Sequence, residues 1–474
     1  MTTEPSEIRA IPNQVRSLIW GEPGIERTSV NVVGSGESRR VRDRVPPGES
    51  VEYHTPDRRS RDRSTGGVTL LGRRCFDTVA EVNQSLEYFT TLGTHIDQRW
   101  TAKGRRNEVL PDLSVEALNE IPVPDELGAL SILELLTDAS SLPKQRPASD
   151  RFGEPPAVMF RSENFEIQAL TWMEGTTSIH QHGFDGAFKV VAGSSLHVRH
   201  SFDQEQVLCD GHVVTGSLSM TDSEVLRPGG VRPIVAGPEF IHALFHLERP
   251  SVTIVVRNGS SGLPFPQYSY RTPGLGHDAL AFDERLAMRF RGLHALHRLD
   301  AGRALEAARD VVRDDDLWTA MQMCDEWAST YGLEPELEAL IEEITNRDPS
   351  LGELLHPTYA EQVRIARIIS RRGMLREDRH RLFLALIVNL PTRDAVDAAL
   401  RDVVPDVDPA TFISEVIAEL ASPSLRGVSG LALSPEELTV VNDHLRAGDA
   451  SDAISAVAEA WTPPALLTSL FAER

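Results

Sequence analysis

At 474 residues the chain is too long for one ordinary core, and its 41% hydrophobic content suffices for two or three folded domains. With 48 Lys and Arg against 70 Asp and Glu, the net charge of −22 argues against non-specific nucleic-acid binding and against anionic membrane surfaces. Three widely spaced cysteines (Cys75, Cys209, Cys324) form no metal or redox pattern, no signal sequence opens the chain and no apolar run reaches a membrane span, so a cytoplasmic protein is expected.

Residues 1–66 are rich in Arg, Glu, Ser, Gly and Pro and carry 11 Arg against 10 acids. Such a tract cannot bury enough apolar surface to fold alone, and a disordered, solvated tail is expected. Its locally basic pieces, R-R-V-R-D-R (39–44) and R-R-S-R-D-R (58–63), give an alternative role as a docking arm for an acidic partner.

Residues 67–150 are read as a helical region and linker. Phe76, Val79, Val82, Leu86 and Phe89 recur at three- and four-residue spacing, with Asp77 placed to cap the start of that helix. A second helix is expected over 124–137, followed by a Pro-rich linker. These helices would cover one face of the strand-rich region beyond the linker.

Residues 151–275 read as short strands separated by Gly, Pro and Asp: A-V-M-F-R, F-E-I-Q-A-L-T-W, F-K-V-V-A-G, S-L-H-V-R-H-S-F, E-V-L-R and S-V-T-I-V-V-R. Their alternation suits a barrel wall, and R-P-G-G (227–230) reads as a tight turn. The informative stretch is W-M-E-G-T-T-S-I-H-Q-H-G-F-D-G-A-F-K-V-V-A-G, Trp172 to Gly193. On a strand, residues i and i+2 share a face, so His180 and His182 can converge on one metal ion. His242, in G-P-E-F-I-H-A-L-F-H, is the third candidate ligand; His246 shares its face and either replaces or supports it. His197, His200 and His212 read as surface or wall residues, and Cys209 as a loop spacer.

From 276 to 474 nearly everything reads as helix, with segments expected over 281–297, 302–313, 315–330, 334–345, 358–372, 376–389, 393–403, 409–421, 434–447 and 450–460. R-L-F-L-A-L-I-V-N-L-P is the most apolar and is expected to be a buried centre that ends at Pro391. There is no constant repeat, phosphate loop or H-E-x-x-H motif, so a packed all-α domain for dimerisation or partner binding is expected.

The two histidine segments resemble the cupin superfamily, whose first motif runs roughly G-x5-H-x-H-x3–4-E-x6-G and whose second runs P-x-G-x2-H-x3-N. His180, His182 and Gly193 match the first, with Gly186 standing in the Glu position. His242 matches the second, with His246 at its Asn and Gly237 and Glu239 in place of Pro and Gly. Three His without the Glu is similar to the thiol dioxygenases, cysteine dioxygenase being the nearest family. Bacterial members often carry Gly where Gly186 stands, and the segment A-F-K-V-V-A-G also fits.

The resemblance implies a central jelly-roll barrel in an α+β multi-domain chain, Fe(II) or another divalent metal held by His180, His182 and His242, and Arg161 as a clamp on a substrate carboxylate, for which the residues alone equally allow a salt bridge at the barrel rim. The family's Tyr aligns with Arg257, which would bind the anionic end of a substrate or stand in for that Tyr; Tyr268 and Tyr270 lie farther on. The implied activity is oxidation of a small thiol or related carboxylate-bearing metabolite with O2. The alternative is a non-catalytic metal- or ligand-sensing barrel with a helical interaction domain. Expected partners are the small-molecule substrate, a protein reaching the helical half or the Arg-rich tail, and further copies of the chain.

Overall fold

The structure is a computed structural model describing residues 69–137, 142–146, 152–174, 176–259, 265–281, 284–332, 335–447 and 466–471. The tail over 1–66 and the helix expected over 450–460 lie outside the described residues.

Among the described residues three helices come first: α1 (Thr69–Ala102), α2 (Leu110–Glu120) and α3 (Ala129–Thr137). The first begins at Thr69, so Asp77 lies inside it and not at its start. Phe89, Leu92, Ile96 and Trp100 form its buried stripe. The second helix was not anticipated; Pro111 stands in its first turn, where a missing N–H costs nothing. The third starts five residues later than expected, because Pro124 and Leu127 form a turn ahead of it.

Eleven strands come next among the described residues: β1 (Pro156–Arg161), β2 (Phe165–Trp172), β3 (Ile179–His182), β4 (Gly186–Ala192), β5 (Ser195–Leu208), β6 (Val213–Leu226), β7 (Val231–Ile234), β8 (Gly237–His246), β9 (Ser251–Asn258), β10 (Tyr268–Arg271) and β11 (Leu275–Asp278). They form a five-stranded sheet in the order β1-β2-β9-β4-β7 and a six-stranded ring in the order β10-β11-β6-β5-β8-β3. Every ladder between these strands is antiparallel.

Alternation assigns the faces. On the five-stranded sheet, Phe165, Ile167, Ala169, Val252, Ile254 and Val256 pack against the N-terminal helices. Lys189 lies on the helix side as well, where its ammonium donates to the carbonyl of Leu118 at 2.6 Å. The opposite face, with Leu170, Trp172, Phe188, Val190 and Val255, meets Phe240 and Leu244 of β8 in an inter-sheet core. The ring has its own interior, which holds Val214, Ile241, Tyr268 and Tyr270.

Among the described residues the helices that follow are α4 (Glu284–Leu299), α5 (Ala301–Asp314), α6 (Leu317–Tyr331), α7 (Pro335–Arg347), α8 (Pro349–Met374), α9 (Asp378–Asn389), α10 (Arg393–Val403), α11 (Pro409–Leu420), α12 (Arg426–Ser429), α13 (Pro435–Ala447) and α14 (Thr468–Phe471). Asp300, Asp316, Asp348 and Asp408 each cap a helix by accepting a backbone N–H at 2.9–3.1 Å. The eighth helix starts nine residues before the expected 358 and runs through Pro357. The ninth is the expected buried centre: Phe383, Leu384, Ala385, Leu386 and Ile387 are wholly buried, and the helix stops two residues before Pro391.

Helices and barrel share one core, in which Leu196, Val198 and Phe245 lie among the helical residues. Polar clasps join them too. Arg372 donates to the carbonyls of His246 and Leu247 at 2.9 Å each and to Glu174 at 3.0 Å. Arg271 of β10 pairs with Asp325 of α6. Among the described residues no helix is long and apolar enough to cross a membrane.

Candidate metal centre

The short strand Ile179–His182 lies between two neighbours. Across β8 His180 is in register with His242, and across β10 it is in register with Ser269. The period-two alternation turns His180 and His182 inward, and the antiparallel partner adds His242 from the same side. One ring nitrogen from each of the three lies within 4.8 Å of the others, and all three side chains are buried. This is the only such His, Cys, Asp or Glu cluster among the described residues.

Hydrogen bonding fixes which nitrogens carry protons. Nδ1 of His180 lies 2.7 Å from the carbonyl of Ser178, which can only accept, so Nδ1 holds the hydrogen and Nε2 keeps a bare lone pair. Around His242 the logic runs through two further residues. Nδ1 of His197 lies 3.0 Å from Oε1 of Glu224, and Nε2 of His197 lies 3.0 Å from Nδ1 of His242. The carboxylate takes the Nδ1–H of His197, whose bare Nε2 then accepts from Nδ1–H of His242. The lone pair of His242 Nε2 is thereby turned toward the cluster.

Nε2 of His182 sits 2.9 Å from that atom. Two nitrogens each about 2.0–2.1 Å from one divalent ion and at a right angle lie about 2.9 Å apart, so the pair suits adjacent ligands. Nε2 of His180 and Nδ1 of His182 are buried without a hydrogen-bond partner among the described residues.

The electrostatics keep the cluster neutral. Burial lowers the His180 pKa to about 4, and the backbone hydrogen bond only partly opposes it. Burial, then the neighbouring charges of His180 and Arg257, hold His182 well below its ordinary value. His242 is likewise held well below, by burial first and then its histidine neighbours. Burial works against ionisation of Glu224, yet hydrogen bonds from Arg232 and His197 bring its pKa below the ordinary value, and it is ionised at neutral pH. Three neutral imidazoles, two of them with lone pairs fixed toward the cluster and the third, His182, free to present Nε2 once its hydrogen sits on Nδ1, fit a divalent transition metal.

A fourth, carboxylate ligand has no room. Glu would stand at Gly186, where a Cβ would come within 1.8 Å of the carbonyl oxygen of Val256 on β9. The closing Gly193 has φ +72, and its Cβ would meet Ser251 at 3.1 Å.

Arg161 and Arg257 flank one carboxylate. Across β1, β2, β9 and β4 the register runs Arg161, Glu166, Arg257, Gly186. A bulge between Val158 and Phe160 puts Arg161 on the face of Glu166, the inter-sheet face. Arg161 pairs with Glu166 at 2.8 Å, as does Arg146 at 2.9 Å. The guanidinium of Arg257 lies 4.0 Å from the ring centre of Phe184, which in turn packs on His182.

Other candidates are sorted by the same geometry. His246 is apart from the cluster: its Nδ1 lies 2.9 Å from Ser195 Oγ and 3.1 Å from Ser251 Oγ, and its ring stacks on Trp172. His197, expected on the surface or wall, instead joins the cluster directly through His242. Its strand is buried on both faces over Ser195–Val198, so alternation gave no side for it. Tyr268 and Tyr270 do fold back beside the H-x-H strand but point into the ring interior; the hydroxyl of Tyr270 donates to Gln181 at 2.6 Å. His212 stacks on Trp318, and burial pushes the Cys209 thiol up to about 11, so it is not a ready nucleophile.

Fold and site together define a two-sheet β barrel with a buried three-histidine cluster. No family model matches the chain. No curated protein matches it either. Among solved structures it is similar to hydroquinone 1,2-dioxygenase from Sphingomonas sp. TTNP3, at 13% identity over 24% of this chain and 70% of that one, with TM-score 0.18. It is also similar to a cupin-2 domain containing protein from Shewanella frigidimarina NCIMB 400, at 15% identity over 28% of this chain and 100% of that one, with TM-score 0.17. A recombinant oxalate oxidase in complex with glycolate is similar at 20% identity, 29% of this chain and 60% of that one, with TM-score 0.17. At these values the likeness carries no weight for the chemistry, which rests on this chain's own residues.

Proposed function

We propose that the chain is a metal-dependent oxygenase of the cupin type, with iron(II) on His180, His182 and His242, acting with O2 on a small thiol or related carboxylate-bearing metabolite. The observation that carries this reading is the convergence of three neutral imidazoles in a buried core, with the tautomers of His180 and His242 fixed by hydrogen bonds. Bound there, a divalent iron supplies the redox chemistry for adding dioxygen to the substrate. A thiol and O2 balance as a sulfinic acid, with both oxygen atoms on sulfur and no further co-reactant.

This chain's own residues select the substrate. The ligand set brings no negative charge, and the Arg257 guanidinium adds a positive one beside His182, so an anionic group is favoured. Arg161 offers a planar fork suited to a carboxylate, for which a substrate would compete with Glu166. Phe184, Phe188 and Phe240 surround the histidines and keep water out.

The test is elemental analysis of protein purified without added metal, for wild type and His182→Ala, followed by oxygen-consumption assays on iron-loaded protein with small thiols bearing or lacking a carboxylate. About one iron per chain, lost in the variant, with thiol-dependent oxygen uptake, supports the oxygenase. Iron without uptake from any thiol overturns it.

One observation favours a second reading, a metal-sensing barrel. Arg372 of the helical layer grips the carbonyls of His246 and Leu247 at the end of the strand that carries His242. Under that reading His182→Ala costs the fold and not merely activity.

A further inference from the structure

The faces of β3 and β8 turned away from the histidines border a cavity of about 490 Å3, at a mouth of the six-stranded ring and covered by α8 and the end of α9. Its size is that of a small-ligand site. Its walls mix apolar side chains, among them Phe245, Ile369 and Leu390, with a few polar groups.

The charges in those walls cancel. Arg364 is held by Glu361 through Nε and Nη2, both at 2.7 Å. Arg271 is held by Asp325. Burial lowers the His200 pKa to about 4, so its ring is neutral. An ion entering here would lose its hydration with no net opposite charge in the walls to replace it. Nη1 of Arg364 is a buried donor with no hydrogen-bond partner among the described residues.

We propose that this cavity is a second ligand site that takes an uncharged amphipathic small molecule. Its apolar body lies against Phe245 and Ile369, and a carbonyl or hydroxyl oxygen accepts from Nη1 of Arg364.

The site touches the histidine cluster through the strands. Ser178 lines the cavity, and its carbonyl is the acceptor that fixes the tautomer of His180. Ser269 lines it too and is the cross-strand partner of His180. A bound ligand therefore bears on the orientation of His180; this consequence alone rests on the metal reading above.

The binding test uses the full, metal-free chain titrated with prodan, an uncharged naphthyl ketone, following the blue shift of its emission. The expected result is one saturable site. Val388→Trp, from the helix side, and Met220→Trp, from the strand side, each fill the cavity and weaken binding at least tenfold. Arg364→Met weakens it several-fold, and His182→Ala leaves it unchanged, which separates this site from the metal centre. Melting curves show whether each variant is folded, and Met220→Trp decides if Val388→Trp is not. No saturable binding by the wild type, or wild-type affinity in a folded, filled variant, overturns the proposal. Equal affinity for a naphthalene sulfonate of similar size overturns the assignment to an uncharged ligand.

Discussion

Nε2 of His197 lies 3.0 Å from Nδ1 of His242, and the carboxylate of Glu224 holds the other nitrogen of His197 at the same distance. The chain from Glu224 to His242 orients a candidate ligand through a residue that never meets the metal. Replacing His197 with Leu, or Glu224 with Gln, is expected to weaken metal binding by about 10–100-fold, the usual scale for partners of this kind. Competition with a chelator of known affinity measures it. Wild-type affinity in both variants would show the chain to be idle.

Gly186 explains a ligand that is missing. Its Cβ would lie 1.8 Å from the Val256 carbonyl oxygen, so Gly186→Ala must push β4 from β9. A loss of about 1–3 kcal/mol, read from urea unfolding, is expected for such overpacking. Gly186→Glu is expected to lose at least as much and to gain no metal affinity in chelator competition.

Stability should fall in acid because several histidines are buried neutral. Burial, then the charge of Arg372, lowers the His246 pKa to about 3. Its unfolded value is about 6.5, so the native state binds fewer protons between these limits. The contribution is fully present above pH 6.5 and is lost as pH falls toward 3, by about 1.4 kcal/mol per pH unit. His180 and His200, each lowered to about 4 chiefly by burial, act in the same direction. Urea unfolding between pH 4 and 7 should show the slope, and His246→Leu should flatten it by about one proton.

Arg372 joins barrel and helices from a buried position, whereas Arg309 makes an exposed pair with Glu343. Arg372→Met strands the carbonyls of His246 and Leu247, and a loss of about 3–5 kcal/mol in urea unfolding is expected. Arg309→Met is expected to cost under about 1 kcal/mol. Equal effects would deny that the clasp holds the two layers.

The sequence by itself determined what depends on local period and residue chemistry. The alternation in F-E-I-Q-A-L-T-W reproduces β2 residue for residue, and the i, i+2 spacing puts His180 and His182 on one face. Helices α10 and α11 fall at or within a residue of their expected limits, because Thr392 and Asp408 cap their starts. Tertiary structure decided what depends on which strands become neighbours. Nothing in the spacing of residues 45 apart says that His197 will bond His242; that comes from the pairing of β5 with β8, which sets the two diagonally across one face. The bulge in β1 that sets Arg161 on the face of Glu166, and the approach of β9 that bars a side chain at Gly186, arise the same way. So does the cavity behind the histidine strands, which exists only where the ring meets α8 and α9. Local pattern fixes which way a side chain points along its own strand, but only packing fixes what it meets.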